Sequence, residues 1–332
     1  MKKIKKLAVY FLCLTIVTGC ISGCGGFASK SDEDLLVSSI ADLNKAKSFE
    51  MNVKLTGKMS AKMDGETANE VLDIELSSTQ FTEPEKAKIV MRASTDESLA
   101  EIQESYVQKE DDKYVIYSKM SEMSDIWTKR LKENRKEAIN AAGGVNFLHG
   151  SLPEDASKYV RKEERAEGDK KYLVYEYKME KENLESIVKD LMSAMGSSLE
   201  ADELEMVMGK MGDVVMAVLI DRKAECISSI EMPLADVMNN VFKAMLEYAK
   251  QEAAGNPDEE ELVSYMDTLK VEISDDAKMV ARYSAIDAAE DFTIPKEALE
   301  AKSEEDLESM DEDERESMMD EGADNTEDED KE

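Results

Sequence analysis

Histidine and tryptophan each occur once in 332 residues, cysteine four times and proline five times. The single imidazole, His149, leaves acid–base and nucleophilic chemistry without its commonest side chain. Ser151 lies two residues on, but adjacency in sequence is not a triad, and His149 reads as an exposed loop residue. One histidine and one cysteine beyond the N-terminal segment cannot build a typical zinc site. The chain has no G-x-S-x-G elbow, phosphate loop, H-E-x-x-H pair or D-x-D-x-D-G calcium loop. Carboxylate pairs abound, as in "EDD" at 110–112 and "DEEE" at 258–261, and their abundance makes each uninformative. A sugar-cleaving pair of carboxylates would want aromatic platforms, which one tryptophan supplies poorly. The expectation is a protein that is not an enzyme, with no catalytic residue, metal or cofactor. Positive charge is also short: 42 Lys and Arg stand against 75 Asp and Glu, a net of −33. That excludes nucleic acid as a partner, since such binding needs a basic footprint.

What is present begins at the N-terminus. "MKKIKK" is a basic stretch, and "LAVYFLCLTIV" is an apolar run of the length a secretory signal needs. It is shorter than the roughly 20 apolar residues of a permanent membrane span. "VTGC" ends at Cys20 and "ISGC" at Cys24, each placing a small residue before a cysteine. The segment resembles a bacterial lipoprotein signal, which implies a signal peptide over 1–23, lipidation of Cys24 with Cys20 as the alternative, and a tether over 24–30. Two acyl chains anchor firmly where one is marginal. The implied location is the outer face of the cytoplasmic membrane, through diacylglycerol and palmitate. Cys13 leaves with the signal, so Cys226 has no intramolecular disulfide partner and reads as a small buried or strand-edge residue.

The C-terminus contrasts with it. From Glu297 to Glu332 there are 19 acidic and 3 basic residues, a net of −16. Such a stretch cannot bury enough apolar surface to offset its ordering entropy, and 297–332 reads as a disordered acidic tail. It serves either as a solvated tail or as a loose binder of calcium or a basic partner.

Between them, 31–296 reads as one domain. Ser31 with Asp34 resembles a capping box, and Leu35, Leu36, Ile40 and Leu43 share the face of an opening helix. From Phe49 to Met63 every odd position except Gly57 is apolar. Fifteen residues at about 3.3 Å each give a strand of roughly 50 Å, which must curve, and Gly57 is the natural bend. "VLDIELSSTQF" and "KAKIVMRAS" read as further strands, and hairpins turn at "EDDK" and "EGDK". "GDVVMAVLIDRKAECISSIEM" and "LKVEISDDAKMVARYSAI" read as two more hairpins. "MSDIWTKRLKENRKEAINAAGG" reads as helical, with 128–139 a basic face that is either solvated or meets anionic headgroups. "ENLESIVKDLMSAM" and a segment opened by Pro233 are amphipathic helices.

The apolar face of the long strand carries Phe49, Met51, Val53, Leu55 and Met59, and facing strands add Leu72, Ile74, Leu76 and Met91. With 22 methionines in the chain, such a wall suits either a dry core or a greasy cavity. The lipobox, the opening helix running into a very long strand, the serial hairpins and the final "FTIP" resemble Gram-positive surface lipoproteins of unknown role. Those are similar in architecture to the LolA/LolB carriers and the mycobacterial LppX/LprG lipoproteins. Across roughly residues 31–300, the resemblance implies an α+β fold. Its expected form is a curved antiparallel half-barrel of about eleven strands closed by amphipathic helices over an apolar cavity. It also implies lipid or lipoprotein acyl chains as ligand, while fold alone does not settle function. The other reading is an envelope module with a dry core and a protein partner.

Overall fold

The structure, a computed structural model, describes residues 30–63, 66–94, 99–120, 124–144, 152–194, 201–253 and 266–303. Cys13, Cys20, Cys24, His149, Ser151 and the tail from 304 lie outside the described residues.

The fold is α+β, built on an open, curved sheet of fourteen strands. Helix α1 (Asp32–Lys45) comes first, with Ser31 as its N-cap: the Ser31 hydroxyl accepts from the Asp34 amide at 3.1 Å. Then β1 (Ser48–Met63), β2 (Glu66–Thr82), β3 (Glu85–Ser94), β4 (Leu99–Glu110), β5 (Lys113–Met120) and β6 (Ser124–Lys132) form a meander. Short helix α2 (Arg135–Ala141) follows, then β7 (Tyr159–Arg161), β8 (Arg165–Glu167) and β9 (Lys170–Lys178). Helices α3 (Lys181–Ala194) and α4 (Ala201–Lys210) precede β10 (Val215–Asp221) and β11 (Cys226–Pro233). Helix α5 (Ala235–Ala253), β12 (Lys270–Ile273), β13 (Lys278–Ser284), helix α6 (Lys296–Leu299) and β14 (Lys302–Ser303) complete the described chain.

The spatial order is β14-β6-β5-β4-β3-β2-β1-β13-β11-β10-β9-β7, with β12 also on β1 and β8 on β9. Every pairing is antiparallel except β14 with β6. The long strand is therefore the seam of the sheet. The early meander lies on one side of it and the later strands on the other.

Four expectations change. The segment around Trp127 is strand β6, not helix, and only 135–141 is helical. Strands β12 and β13 do not form a hairpin with each other; both pair with β1, β13 over Glu50–Thr56 and β12 over Met59–Lys62. Gly57 sits where β1 changes partner. A Cβ there would lie 2.7 Å from the Cβ of Ala277, so the glycine admits the corner joining the two strands. Pro233 ends β11 opposite Lys278, two residues short of α5. Last, residues 297–303 belong to the fold: α6 and β14 lie there, and Ala298 is fully buried.

That C-terminal strap covers the outer face of the meander. Phe292, Ile294, Ala298 and Ala301 pack on Tyr106, Val115, Tyr117 and Trp127. The Phe292 ring lies 5.9 Å from Phe81 and 5.8 Å from Tyr106, and Lys86 pairs with Asp291.

Candidate functional site

Directly paired residues of antiparallel strands point to the same side, so register defines the inner face. One row crosses it as Met91, Leu76, Val53, Ala281, Ile230, Val218 and Tyr175. Leu55 faces Ile74 and Gly57 faces Leu72. The nine residues expected to form a wall therefore share one side of β1, β2 and β3. Phe49, Met51, Val53 and Leu76 are enclosed, at 0%, 2%, 0% and 3% exposure. Leu55, Met59, Leu72 and Met91 are half-buried against the same cluster, and Ile74 is half-buried beside them.

The helices share that cluster. It takes Leu36 and Ile40 from α1, Ile139 from α2, Ile187 and Val188 from α3, Val207 from α4 and Val241 from α5. Helix α1 lies on β11 and α5 on β12, while α3 packs on α2 and α4, and α4 on α5. The layer over the sheet is thus an arch. Its feet, α2 and α5, stand on strands, and α3 and α4 between them pack on neighbouring helices and reach the cluster through Ile187, Val188 and Val207.

The α2 foot is held by polar groups. Its N-cap is Asn134, whose side chain accepts from the Glu137 amide at 2.9 Å. Gly143, at φ 78, follows the last turn, and the Gly144 amide returns to the Ile139 carbonyl at 2.8 Å, a glycine-based C-terminal stop. Gln103 donates to the Ala142 carbonyl at 3.1 Å and to Ser105 at 2.9 Å. Ser105 and Ser118 bond at 2.9 Å, and Arg130 donates to the Ala141 carbonyl at 3.1 Å. Arg135 reaches Gln80 at 3.2 Å and Lys136 reaches Ser186 of α3. Much of the basic stretch 128–139 thus secures α2 to the sheet and to α3. The α5 foot has one such clamp, Asn239, which bonds both the carbonyl and the amide of Ile273, at 3.1 and 2.7 Å.

Beyond that clamp an apolar groove of about 760 Å³ opens between α5 and β12. Phe242, Met245, Leu246 and Ala249 face Leu269 and Val271 across it, and Lys243 and Lys270 stand on its rim. Phe242 and Met245 also pack on the main cluster, so the groove floor is continuous with the inner face. A second groove, of about 810 Å³, lies near Met179, Leu184, Met208 and Met211. The ion pairs Lys178–Asp213 and Lys158–Glu180 edge it. Register, more than sequence distance, makes these sites, and only the alternation of β1 and β2 announced them.

Cys226 opens β11 half-buried and unpaired; burial, then Asp221, pushes its thiol pKa up, the reverse of an activated nucleophile. No group of three His, Cys, Asp or Glu placed to hold a metal occurs among the described residues. No helix among them is long and apolar enough to cross a membrane.

Solved structures similar to this chain include the Mycobacterium tuberculosis lipoprotein LppX, at 10% identity and a TM-score of 0.35, covering 79% of this chain and 100% of its own. LprF from Mycobacterium bovis is 9% identical, with a TM-score of 0.35 and coverage of 80% and 96%. A putative outer membrane lipoprotein-sorting protein domain from Vibrio parahaemolyticus is 10% identical, with a TM-score of 0.20 and coverage of 75% and 88%. No curated protein matches the chain. Residues 31–233 match a family model described as a family of unknown function (DUF6612), and the chain belongs to that family.

Proposed function

We propose that this protein is a lipid-anchored, extracytoplasmic lipoprotein that binds or carries a hydrophobic ligand, a lipid or the acyl chains of a lipoprotein. The ligand lies between the inner face of the sheet and the helical arch. Anchoring is through Cys24 or Cys20. The supporting observation is the α5–β12 groove, whose apolar floor runs into the enclosed wall of Phe49, Met51, Val53 and Leu76. A site that is mostly apolar with few polar groups suits such a ligand. The action is burial without covalent change. Outward movement of α3 and α4, which meet the cluster through apolar side chains, admits the guest.

The complete enclosure of Phe49 and Val53 also favours a second reading, a dry-cored envelope module that meets a protein partner. Native mass spectrometry with organic extraction separates the two. The described core begins at Leu35, so a chain starting at Lys30 keeps all of it. The carrier reading expects co-purifying lipid, lost in Leu246→Asp without unfolding, since Leu246 lines the groove outside the core cluster. Protein free of bound mass that also takes up no fluorescent acyl probe supports the dry module.

A further inference from the structure

Three hydroxyls on the inner face have no partner among the described residues: Tyr175, out on β9, and Ser78 and Tyr283, which flank β1. Ser78 stands directly opposite Met51 on one side, and Tyr283 stands opposite Met51 on the other. Their backbones are two strand spacings apart, about 10 Å. Ser78 is 3% exposed and Tyr283 7%, and neither hydroxyl makes a hydrogen bond among the described residues. Buried polar groups are nearly always satisfied, so each exception calls for a cause. The same row shows the normal outcome further along: Ser105 and Ser118, equally buried, bond to each other. The Phe49 ring, 6.1 Å from that of Tyr283, completes an apolar surround.

The surround also has a sign, or rather none. Burial is the one cause that raises the Tyr283 pKa, and no charged group acts on it. A carboxylate or phosphate brought to Tyr283 would be buried without a counter-ion, which is costly; Arg135, one inner position beyond Ser78, is already bonded to Gln80 and to the Phe81 carbonyl. An uncharged acceptor is favoured, because both hydroxyls can donate to it. From Met51 to Met59 the wall runs about 26 Å along β1. That exceeds the ~15 Å depth of one leaflet of bilayer hydrocarbon, enough for one extended acyl chain.

We infer that the Ser78 and Tyr283 hydroxyls hold the neutral ester oxygen of an acyl-ester lipid, whose chain extends along Val53, Leu55 and Met59 toward the α5–β12 groove. This rests on the carrier reading above and adds to it the class of ligand and the two residues that choose it.

The test uses two pyrene-labelled probes of one chain length, a monoacylglycerol and a free fatty acid, titrated at pH 7 into the chain from Lys30. Wild type should bind the ester about tenfold or more tightly than the acid. Tyr283→Phe and Ser78→Ala should each weaken ester binding by about threefold to tenfold and leave acid binding unchanged. Both variants should melt at or above the wild-type temperature, because each loses a buried group that has no protein partner. If wild type binds neither probe, the carrier reading fails and this inference with it. Equal ester binding by wild type and both variants overturns the hydroxyl assignment alone. A large fall in melting temperature for Tyr283→Phe also overturns it, since the hydroxyl would then be serving the fold.

Discussion

On either side of β1 the sheet meets its helices differently. Toward β6 the inner face is seamed with Gln80, Gln103, Ser105 and Ser118, and these groups with Arg130 and Arg135 fasten a seven-residue helix. Toward β9 the inner face is Met279, Ala281, Ile230, Met232, Val218, Ile220 and Leu173, with aromatic rings and without such a seam. Hydrogen bonds demand one geometry, while apolar contact tolerates sliding. The first half positions the arch and the second lets it move. Five single substitutions, one double change and one titration probe that difference.

The largest effect is expected at the seam itself. Val53→Asp buries an unpaired carboxylate at a site with 0% exposure and should abolish folding, a loss above roughly 5 kcal/mol; circular dichroism reads it. Ile230→Ala, in the apolar half, should cost about 2–5 kcal/mol in urea unfolding by leaving a cavity. Gly144→Ala strikes the polar half, because its new Cβ would lie 2.7 Å from the Ile139 side chain and 2.9 Å from the Ile139 carbonyl oxygen. A loss of about 1–3 kcal/mol, with faster hydrogen exchange confined to α2, is expected. Ser105→Ala should cost about 1–2 kcal/mol, because Ser118 and Gln103 lose a partner. The double change Ser105→Ala, Ser118→Ala should cost less than the sum of the two single changes.

An alkaline titration gives the smallest and broadest signal. Burial and then Glu110 push Tyr117 up to about 12, and burial raises Tyr159 and Tyr283 as well. Unfolded tyrosine ionises near pH 10. The folded protein keeps these protons longer, so their contribution is complete below about pH 10 and is lost as pH climbs through the folded values. Urea midpoints measured from pH 9 to 12 should fall steadily, and Tyr117→Phe should flatten part of that slope.

The contrast also explains what the sequence showed. Strand β1 was legible because one face is apolar and the other wet, so its side chains alternate over sixteen residues. Strand β6 was not, because both of its faces are used. Arg130 points inward to the α2 carboxyl end, while Trp127 lies in the cluster beneath the C-terminal strap. A strand covered twice loses its period and can be mistaken for a helix. The strap was hidden for another reason. Phe292, Ile294 and Ala298 are its few anchors, and Glu297 and Glu300 between and beyond them resemble the acidic run that follows. The partner switch at Gly57 could not be read either, since two adjacent strands suggest a hairpin whether or not they pair. The nine wall residues were legible as a face. The Ser78–Met51–Tyr283 row was not, because only register joins positions that lie 27 and 232 residues from Met51.

The central claim is that a guest lies along the inner face beside β1. Methionine methyl NMR tests it most directly, because Met51, Met91 and Met279 lie on that face and Met120 is exposed at the end of β5. Titration with an acyl-ester lipid should shift the Met51, Met91 and Met279 methyl signals in proportion to occupancy and leave that of Met120 unchanged. Lipid that binds while the signals of Met51, Met91 and Met279 stay fixed would contradict the account.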